Sequence, residues 1–457
     1  WILGRGWDEG KLAERRYIVA ADLDPVSDGR PVWLLHTMGH YGVANSAALV
    51  LAGIDRNTPD PPGGTIDRDA EGTPTGVLKE SAMDLVARHV PATDATQLRD
   101  GIRLMAREFN RECMTAAKDP GIGTGIGFDL ESALQAWQAY RDVQAAGELS
   151  VRVVALWRSG DTLEQARDLV AAIEPFGKPR DAGNARLVSG GIKIFADGSG
   201  GARTAWVWDE WNRERTGIDA GNHGYPTIDP LMLRDLFTFY HDAGLHVGVH
   251  AIGDRTIDWI ASSMAMALVK NPQHGLRHSF IHANIPSDYA IHTMAWLQEN
   301  FDAGYPEPQA NFTWWIGDTY AGNFGAERSH RLNPYRTFQE HGVQWAGGSD
   351  FDVTPFPARY GIWASMAREP LLGVYGKDAF GRAESVDVHT ALRSFTAWAA
   401  HQLFMEDRIG TIEAGKAADL AVWDTDLYSA EPAAIKDMRC EMTLLDGEVV
   451  YRAEPED

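Results

Sequence analysis

The sequence predicts an α/β protein: a (β/α)₈ barrel of the TIM type, one strand short, with a small β unit at its C-terminal end. Three observations carry that reading. From about residue 98 onward, strand-like and helix-like patterns alternate. Polar residues stand where several of those strands end, as in "VGVHAIGD" and "FIHAN". The competing open doubly wound sheet would place a Gly-rich phosphate turn after its first strand, and neither GxGxxG nor GxxxxGK[ST] occurs.

Residues 1–110 read as a loop-rich insertion. "TPDPPGGTIDRDAEGTPTG" (58–76) is dense in Pro, Gly and Asp and is expected to be mostly turns. "ANSAALVLAGI" (44–54) and "KESAMDLVARHV" (79–90) are expected to be short helices, the first capped by Asn45 or Ser46. The barrel is assigned to 111–405. Its strands are expected at about 114–119, 151–157, 190–197, 246–252, 279–284, 307–312 and 344–350, with helices such as "ESALQAWQAYRDVQAAG" and "TIDWIASSMAMALVK" between them. That is one strand short of a closed barrel. "NFTWWIGDTYAGNFG" (311–325) reads as an aromatic-rich loop able to wall a substrate site, and Trp314, Trp315 and Trp398 as core. Residues 406–457 read as short strands, with "DGEVVYR" a hairpin on its Asp-Gly turn.

Composition narrows the function classes. The chain has 457 residues, 44% hydrophobic and 23% charged, which is ordinary for a globular protein. A formal net charge of −22 argues against nucleic acid and against anionic membrane surfaces as partners. No run approaches the ~18 apolar residues of a membrane span. Cys113 and Cys440 match no metal or redox spacing and are expected to be buried thiols, in keeping with a reducing, cytoplasmic setting. The opening "WILGRGWDEGKLAERRYIVAADLD" has neither Met nor a signal-like core, and a leader upstream of it is left open. A small-molecule substrate is expected, and a homodimer is left open.

Active sites of such barrels lie at the C-terminal strand ends. Four residues stand there: Lys193 in "GGIKIFADG", His250, His282 and Asp350 in "WAGGSD". Singly, each also reads as a satisfied core histidine or a structural ion pair. In series on four strands they form a chemical set. Neutral imidazoles and a carboxylate suit Zn²⁺. Water on such a metal reaches a pKa near ~7. A strand-end Asp could take the proton and pass it to a leaving amine. A lysine carbamylated by CO₂ would offer a bridging carboxylate.

The stretches "GHYGVANSAALVLAGI", "GGTIDRDAEGTPTGVLKE", "IKIFADGSGGARTA", "VHAIGDRTID", "GGSDFDVTPFP" and "IGTIEAGKAADLAVWD" resemble the amidohydrolase superfamily. The likeness is to its amidohydrolase-3 group, which includes N-substituted formamide deformylases. The resemblance spans about residues 1–450. It implies a metal-dependent hydrolase barrel beside a β-sandwich built from both chain ends, acting on an amide or formamide-like C–N bond. It implies one or two divalent metals, Zn first. His250 and His282 would bind one, Asp350 would bind the other and shuttle protons, and Lys193 would stand where many relatives carry the carbamylated bridge.

One departure stands out. The family's first barrel strand ends in His-x-His, and this sequence has no such pair; His36 and His40 in "HTMGH" are four apart. Loss of the upstream part, with the first strand and half of the sandwich, is the expectation; a variant holding one metal on His250 and His282 is the alternative. His40 is a substrate-pocket candidate by resemblance, or a local cap. Arg203 could bind a substrate oxyanion or pair with Asp197. Gln309 could face the pocket, Asp254 could orient a ligand histidine, and Lys118 reads as structural. A second functional class stays open: a metal-poor relative that binds or isomerises a small molecule without hydrolysis.

Overall fold

The computed structural model describes residues 1–123, 127–183, 185–212 and 220–454. Among these residues, fourteen strands form three sheets. The first sheet contains β1 (Ile2–Trp7), β2 (Val32–His36), β3 (Tyr41–Ala44), β4 (Gly64–Arg68) and β5 (Pro74–Glu80), ordered β1-β2-β3-β5-β4. The second is a curled parallel sheet of β6 (Ala116–Ile122), β7 (Arg152–Arg158), β8 (Leu187–Phe195), β9 (Val247–Ala251), β10 (Ser279–His282) and β11 (Tyr305–Glu307), in sequence order. The third is β12 (Leu420–Trp423), β13 (Cys440–Leu445) and β14 (Glu448–Arg452).

The parallel sheet is the predicted alternation realised. Its strands read as nearly continuous apolar runs because helices cover them. Val153, Ala155, Ile192, Ile194, Val247, Val249 and Phe280 join one large core with helical residues such as Leu236, Ile260 and Met294. Two expected strands differ. The run 307–312 is strand only at Glu307, the last residue of β11, and Asn311–Trp314 turns into a helix. The segment 344–350 is not a strand. It lies beside β11, where Ala346 N–H donates to Pro306 O (3.2 Å), but Gly347 N–H goes to Ser394 O and Gln344 N–H to the Gln298 side chain. The described sheet is therefore open at β6 and β11, with six strands.

Residues 1–110 are not loop-rich. The Pro-Gly-Asp run 58–76 carries the β4–β5 hairpin, turned at Asp69–Gly72, where Gly72 N–H donates to Asp69 O and Gly72 has φ of 80°. Strands of four to seven residues between turn residues left little period to read. The helix at 44–54 forms over Ser46–Leu51, and Asn45 caps it by accepting from Ala48 N–H. The helix expected at 79–90 shrinks to Asp84–Ala87, since β5 runs through Glu80. The segment 311–325, read as a loop, is helical over Asn311–Trp314 and from Gly317 onward.

At the C-terminal end the hairpin forms as predicted: Leu445 pairs with Glu448 across Asp446 and Gly447, both at positive φ. It belongs to a single three-stranded sheet, and no sandwich forms among the described residues. Cys113 and Cys440 are not free thiols. They form a disulfide that ties the end of the helix Ala95–Arg111 to β13. Their separation of 327 residues hid the pair from sequence spacing. No helix among the described residues is long and apolar enough to cross a membrane.

At the N-terminal ends of β10 and β11 a charged network holds the fold. Arg277 bonds Asp302 (3.2 Å) and Glu406 (2.8 Å), and His401 bonds Asp302 (2.9 Å). Burial works to raise the Glu406 carboxyl, but the His401 and Arg277 bonds outweigh it and hold it down at about 2. Burial works to lower His401, and its bonds to Asp302 and Glu406 bring it above its ordinary value.

Two predictions follow from this framework. Replacing both cysteines by Ser should lower unfolding free energy by about 2–4 kcal/mol, read in denaturant melts; equal midpoints would show that the bridge does not hold the fold. The carboxylate contribution is present above pH ~4.3 and lost as pH falls below it, while that of His401 is present below pH ~6.5 and lost as pH rises through its raised value. The destabilisation by Glu406→Gln should therefore be greatest between about pH 4.5 and 6.5 and shrink towards pH 2, measured by urea midpoints across pH.

Candidate active site at the ends of the parallel strands

The site is built where β8, β9 and β10 stop. Alternation along β8 points Lys193, Phe195 and, just beyond it, Asp197 to one side. His250 is the fourth residue of β9 and His282 the last of β10. Their rings meet edge to face, centroids 4.5 Å apart. The Lys193 ammonium lies 4.6 Å over the Phe195 ring, which also touches His250. Asp350 closes the group from the segment after β11, where Lys193 and His40 both act on its carboxyl. His282, Ala283 and Asp350 have φ of 80°, 46° and 54°, backbone states that cost energy and gather at working sites.

Hydrogen bonds fix the histidine tautomers. The Gln309 amide N–H donates to Glu307 O (2.6 Å), so its oxygen faces His282 and accepts from Nδ1–H (2.7 Å). That leaves the His282 Nε2 lone pair free. His250 is set the opposite way: its Nε2–H donates to Gly198 O (3.0 Å), with Asp197 Oδ1 at 3.4 Å, leaving its Nδ1 lone pair free. Gly198 must be glycine, because a Cβ there would fall 2.0 Å from the Thr204 hydroxyl.

The electrostatics keep these groups neutral or poised. Burial, then the other rings and Lys193, pushes His250 well below its ordinary value. Burial and Lys193 push His282 down to about 3. Burial lowers Lys193 to about 8 against the pull of Asp350 and Glu307. Burial raises the Asp350 carboxyl, with Lys193 and His40 opposing. Asp197, fully buried, is pushed up to about 7 although it accepts three backbone N–H bonds.

The first sheet brings His40 to the same place. Tyr41 pairs with Lys79 across β3 and β5, so their neighbours His40 and Glu80 stand side by side. Glu80 Oε2 bonds His40 Nδ1 (2.9 Å), its other oxygen accepts from Thr204 (2.5 Å), and the His40 ring lies 4.9 Å from His250. Burial works to lower His40, but Glu80 holds it above its ordinary value.

Seven residues were expected here. His250, His282, Lys193, Asp350, His40 and Gln309 gather. Arg203 does not pair with Asp197, whose oxygens take backbone N–H groups; its guanidinium lies over the Tyr17 ring. Asp254 caps its own turn, accepting from Trp208 N–H and Arg255 N–H, and the carboxylate beside His250 is Asp197. Lys118 is structural, paired with Glu307. Sequence reasoning missed Asp197 and Glu80 as site residues. The first was visible as the i+4 partner of Lys193 on one strand face. The second needed the register of a sheet that was not predicted.

Among the described residues, three potential metal-ligand atoms lie within 4.8 Å of one another in one place only: Asp8, Glu9 and His36, all buried. Each already has protein partners there. His36 Nδ1 accepts from Met38 N–H, Tyr41 donates to Glu9, and Asp8 accepts from Gly10 N–H and Thr319. That cluster reads as a cross-link. Free imidazole lone pairs stand instead on His250 Nδ1 and His282 Nε2.

A family model described as the amidohydrolase family matches residues 1–451. The chain belongs to the amidohydrolase family. Protein YtcJ of Bacillus subtilis (strain 168) is 28% identical over 454 residues, 99% of this chain and 80% of YtcJ. The N-substituted formamide deformylase of Arthrobacter pascens is also 28% identical over 454 residues, 99% of this chain and 79% of that protein. Among solved structures, an uncharacterized metal-dependent hydrolase from Pyrococcus horikoshii OT3 shares the fold of this amidohydrolase with a TM-score of 0.68, 21% identity, and coverage of 94% of this chain and 78% of that one.

The tautomers can be checked directly. In protein labelled with ¹⁵N-histidine, His282 should appear as the Nδ1–H form and His250 as the Nε2–H form. Gln309→Leu should remove the His282 preference and leave that of His250. An Nε2–H signal for His282 in the parent would refute the assignment.

Proposed function

We propose that this amidohydrolase cleaves a C–N bond of a small amide or formamide-like substrate with the help of a divalent metal, Zn²⁺ first. The observation that carries the reading is the pair of buried, neutral imidazoles whose free nitrogens are set by Gly198 and Gln309. Their chemistry fits such a cation. His250 would hold it through Nδ1 and His282 through Nε2. Asp350 would be a further ligand, and Lys193, if carbamylated, another. A metal there supplies Lewis acidity to the substrate carbonyl and a lowered pKa to water.

The other residues take roles from their positions. Asp350, with its carboxyl raised by burial, accepts the proton of the attacking water and returns it to the departing nitrogen. Lys193, buried and lowered to about 8, carries enough free amine near neutrality for CO₂ to add to it. His40, held on Nδ1 by Glu80, would offer Nε2 to the substrate. Gln309, bonded to His282, is expected to border the substrate. The name of the Arthrobacter relative supports formamides as the first compounds to try.

Metal content by plasma mass spectrometry tests the reading, together with turnover of a panel of formamides and amides. The parent should hold metal, and the His250→Ala, His282→Ala double variant none. Asp350→Asn should retain metal on the histidines while losing about 10²-fold or more in kcat. Turnover by metal-free parent protein would overturn the proposal.

A further inference from the structure

We propose that a cleft on the flank of this site binds a small carboxylate that carries a flat apolar group. It lies between the helix Asp254–Lys270, the Trp206–Trp208 segment and the start of the helix Asp288–Phe301. Its volume is about 360 Å³, at the small end of ligand sites. Its walls are Trp206, Trp208, Trp259 and Tyr289, with Arg255 and Asp258 between them. Trp208 and Tyr289 remain 52% and 53% exposed, so two large rings wait with uncovered faces.

The walls are held in place before any ligand arrives. The Trp208 indole N–H donates to Asp258 (2.9 Å), and Ser287 donates to the other oxygen of the same carboxylate. Trp208 backbone N–H donates to Asp254 (3.0 Å), and the Trp259 indole to Pro230 O (2.9 Å). Ordering costs on binding are correspondingly small. Both Asp258 oxygens are engaged, so Asp258 braces the wall and leaves the cation to others.

That cation is Arg255. Its guanidinium lies 4.2 Å from the Trp206 ring centroid and 4.7 Å from that of Trp208. Among the described residues no hydrogen bond or ion pair reaches it, although the chain carries 64 acidic residues against 42 basic ones. It also occupies the second position of a 17-residue helix, where the helix dipole disfavours a cation. Stacking covers the faces of a guanidinium and leaves its N–H edge free, the edge that grips a carboxylate with two bonds. An acid gripped there would lay its apolar part on Trp208 and Tyr289. The cleft also adjoins the candidate active site through the backbone: Trp206 N–H donates to Asp197, the carboxylate beside His250.

The inference does not rest on the hydrolase reading, and its test uses no turnover. Phenylacetate is the probe and 2-phenylethanol its uncharged counterpart, both followed by saturation-transfer NMR and isothermal titration. Phenylacetate should bind the parent and the His282→Ala variant alike. Arg255→Gln should weaken it by about tenfold or more, and Trp208→Ala should weaken it with Arg255 intact. Unchanged melting temperatures check that both variants are folded. The proposal is overturned by no binding to the parent, by equal binding of 2-phenylethanol, by binding that survives Arg255→Gln, or by binding lost in His282→Ala, which would place the acid in the site itself.

Discussion

The Asp197 carboxylate is the constraint on which the site depends. It is fully buried and accepts N–H groups from Trp206, Ile252 and Gly253. Those donors come from two places: the segment after β8 and the turn after β9. One side chain thus joins two strand ends and places its remaining face 3.4 Å from His250. Gly253 permits the join, since a Cβ there would stand 2.0 Å from Trp206 O. Among the described residues these three N–H groups bond only to this carboxylate, so its loss would leave them unsatisfied. The position of His250, and with it the spacing to His282, follows from this junction.

The first sheet completes the site from outside the parallel strands. Its register sets Glu80 beside His40, and Glu80 takes φ of 49° and ψ of −130° to reach Thr204. A non-glycine residue in that region persists only where its surroundings over-determine it. The surroundings here are the Thr204 hydroxyl, the His40 ring and the close pass of Gly198. The same Gly198 carbonyl orients His250. Two sheets with no shared ladder therefore meet in a chain of hydrogen bonds running Glu80, Thr204, Ser199 N–H and, by way of the adjacent residue Gly198, His250.

How much of this was legible depended on the range of each signal. The parallel strands β7 to β10 were read near their true places, because a buried strand between helices has a strong local pattern. His250 and His282 followed, since a polar residue near the end of an apolar run is itself a local signal; Lys193 lies two residues inside the end of β8, and Asp350 was singled out on an expected strand that does not form. The first sheet was missed because its strands are short and its turns dominate the composition. Glu80 and the Cys113–Cys440 bridge were missed for a different reason. Each is defined by a partner brought near by tertiary structure, across 124 residues for Glu80 to Thr204 and 327 for the disulfide. Asp197 lies between these cases: its side of the strand was readable, but its three N–H partners were not.

The two histidines show why position alone does not make a donor set. A buried imidazole has one proton and one lone pair, and whichever nitrogen finds a carbonyl first loses its lone pair to that arrangement. His250 meets Gly198 O on Nε2, whereas His282 meets the Gln309 oxygen on Nδ1. Gln309 can serve because Glu307 O fixes which way its amide points, and β11 ends at that residue. The break in the expected strand at 307–312 is thus part of how the site is made. Beyond β11 the Gln309 carbonyl accepts from the Asn333 side chain and from Phe312 N–H, outside any strand ladder, while its amide bridges Glu307 O and His282.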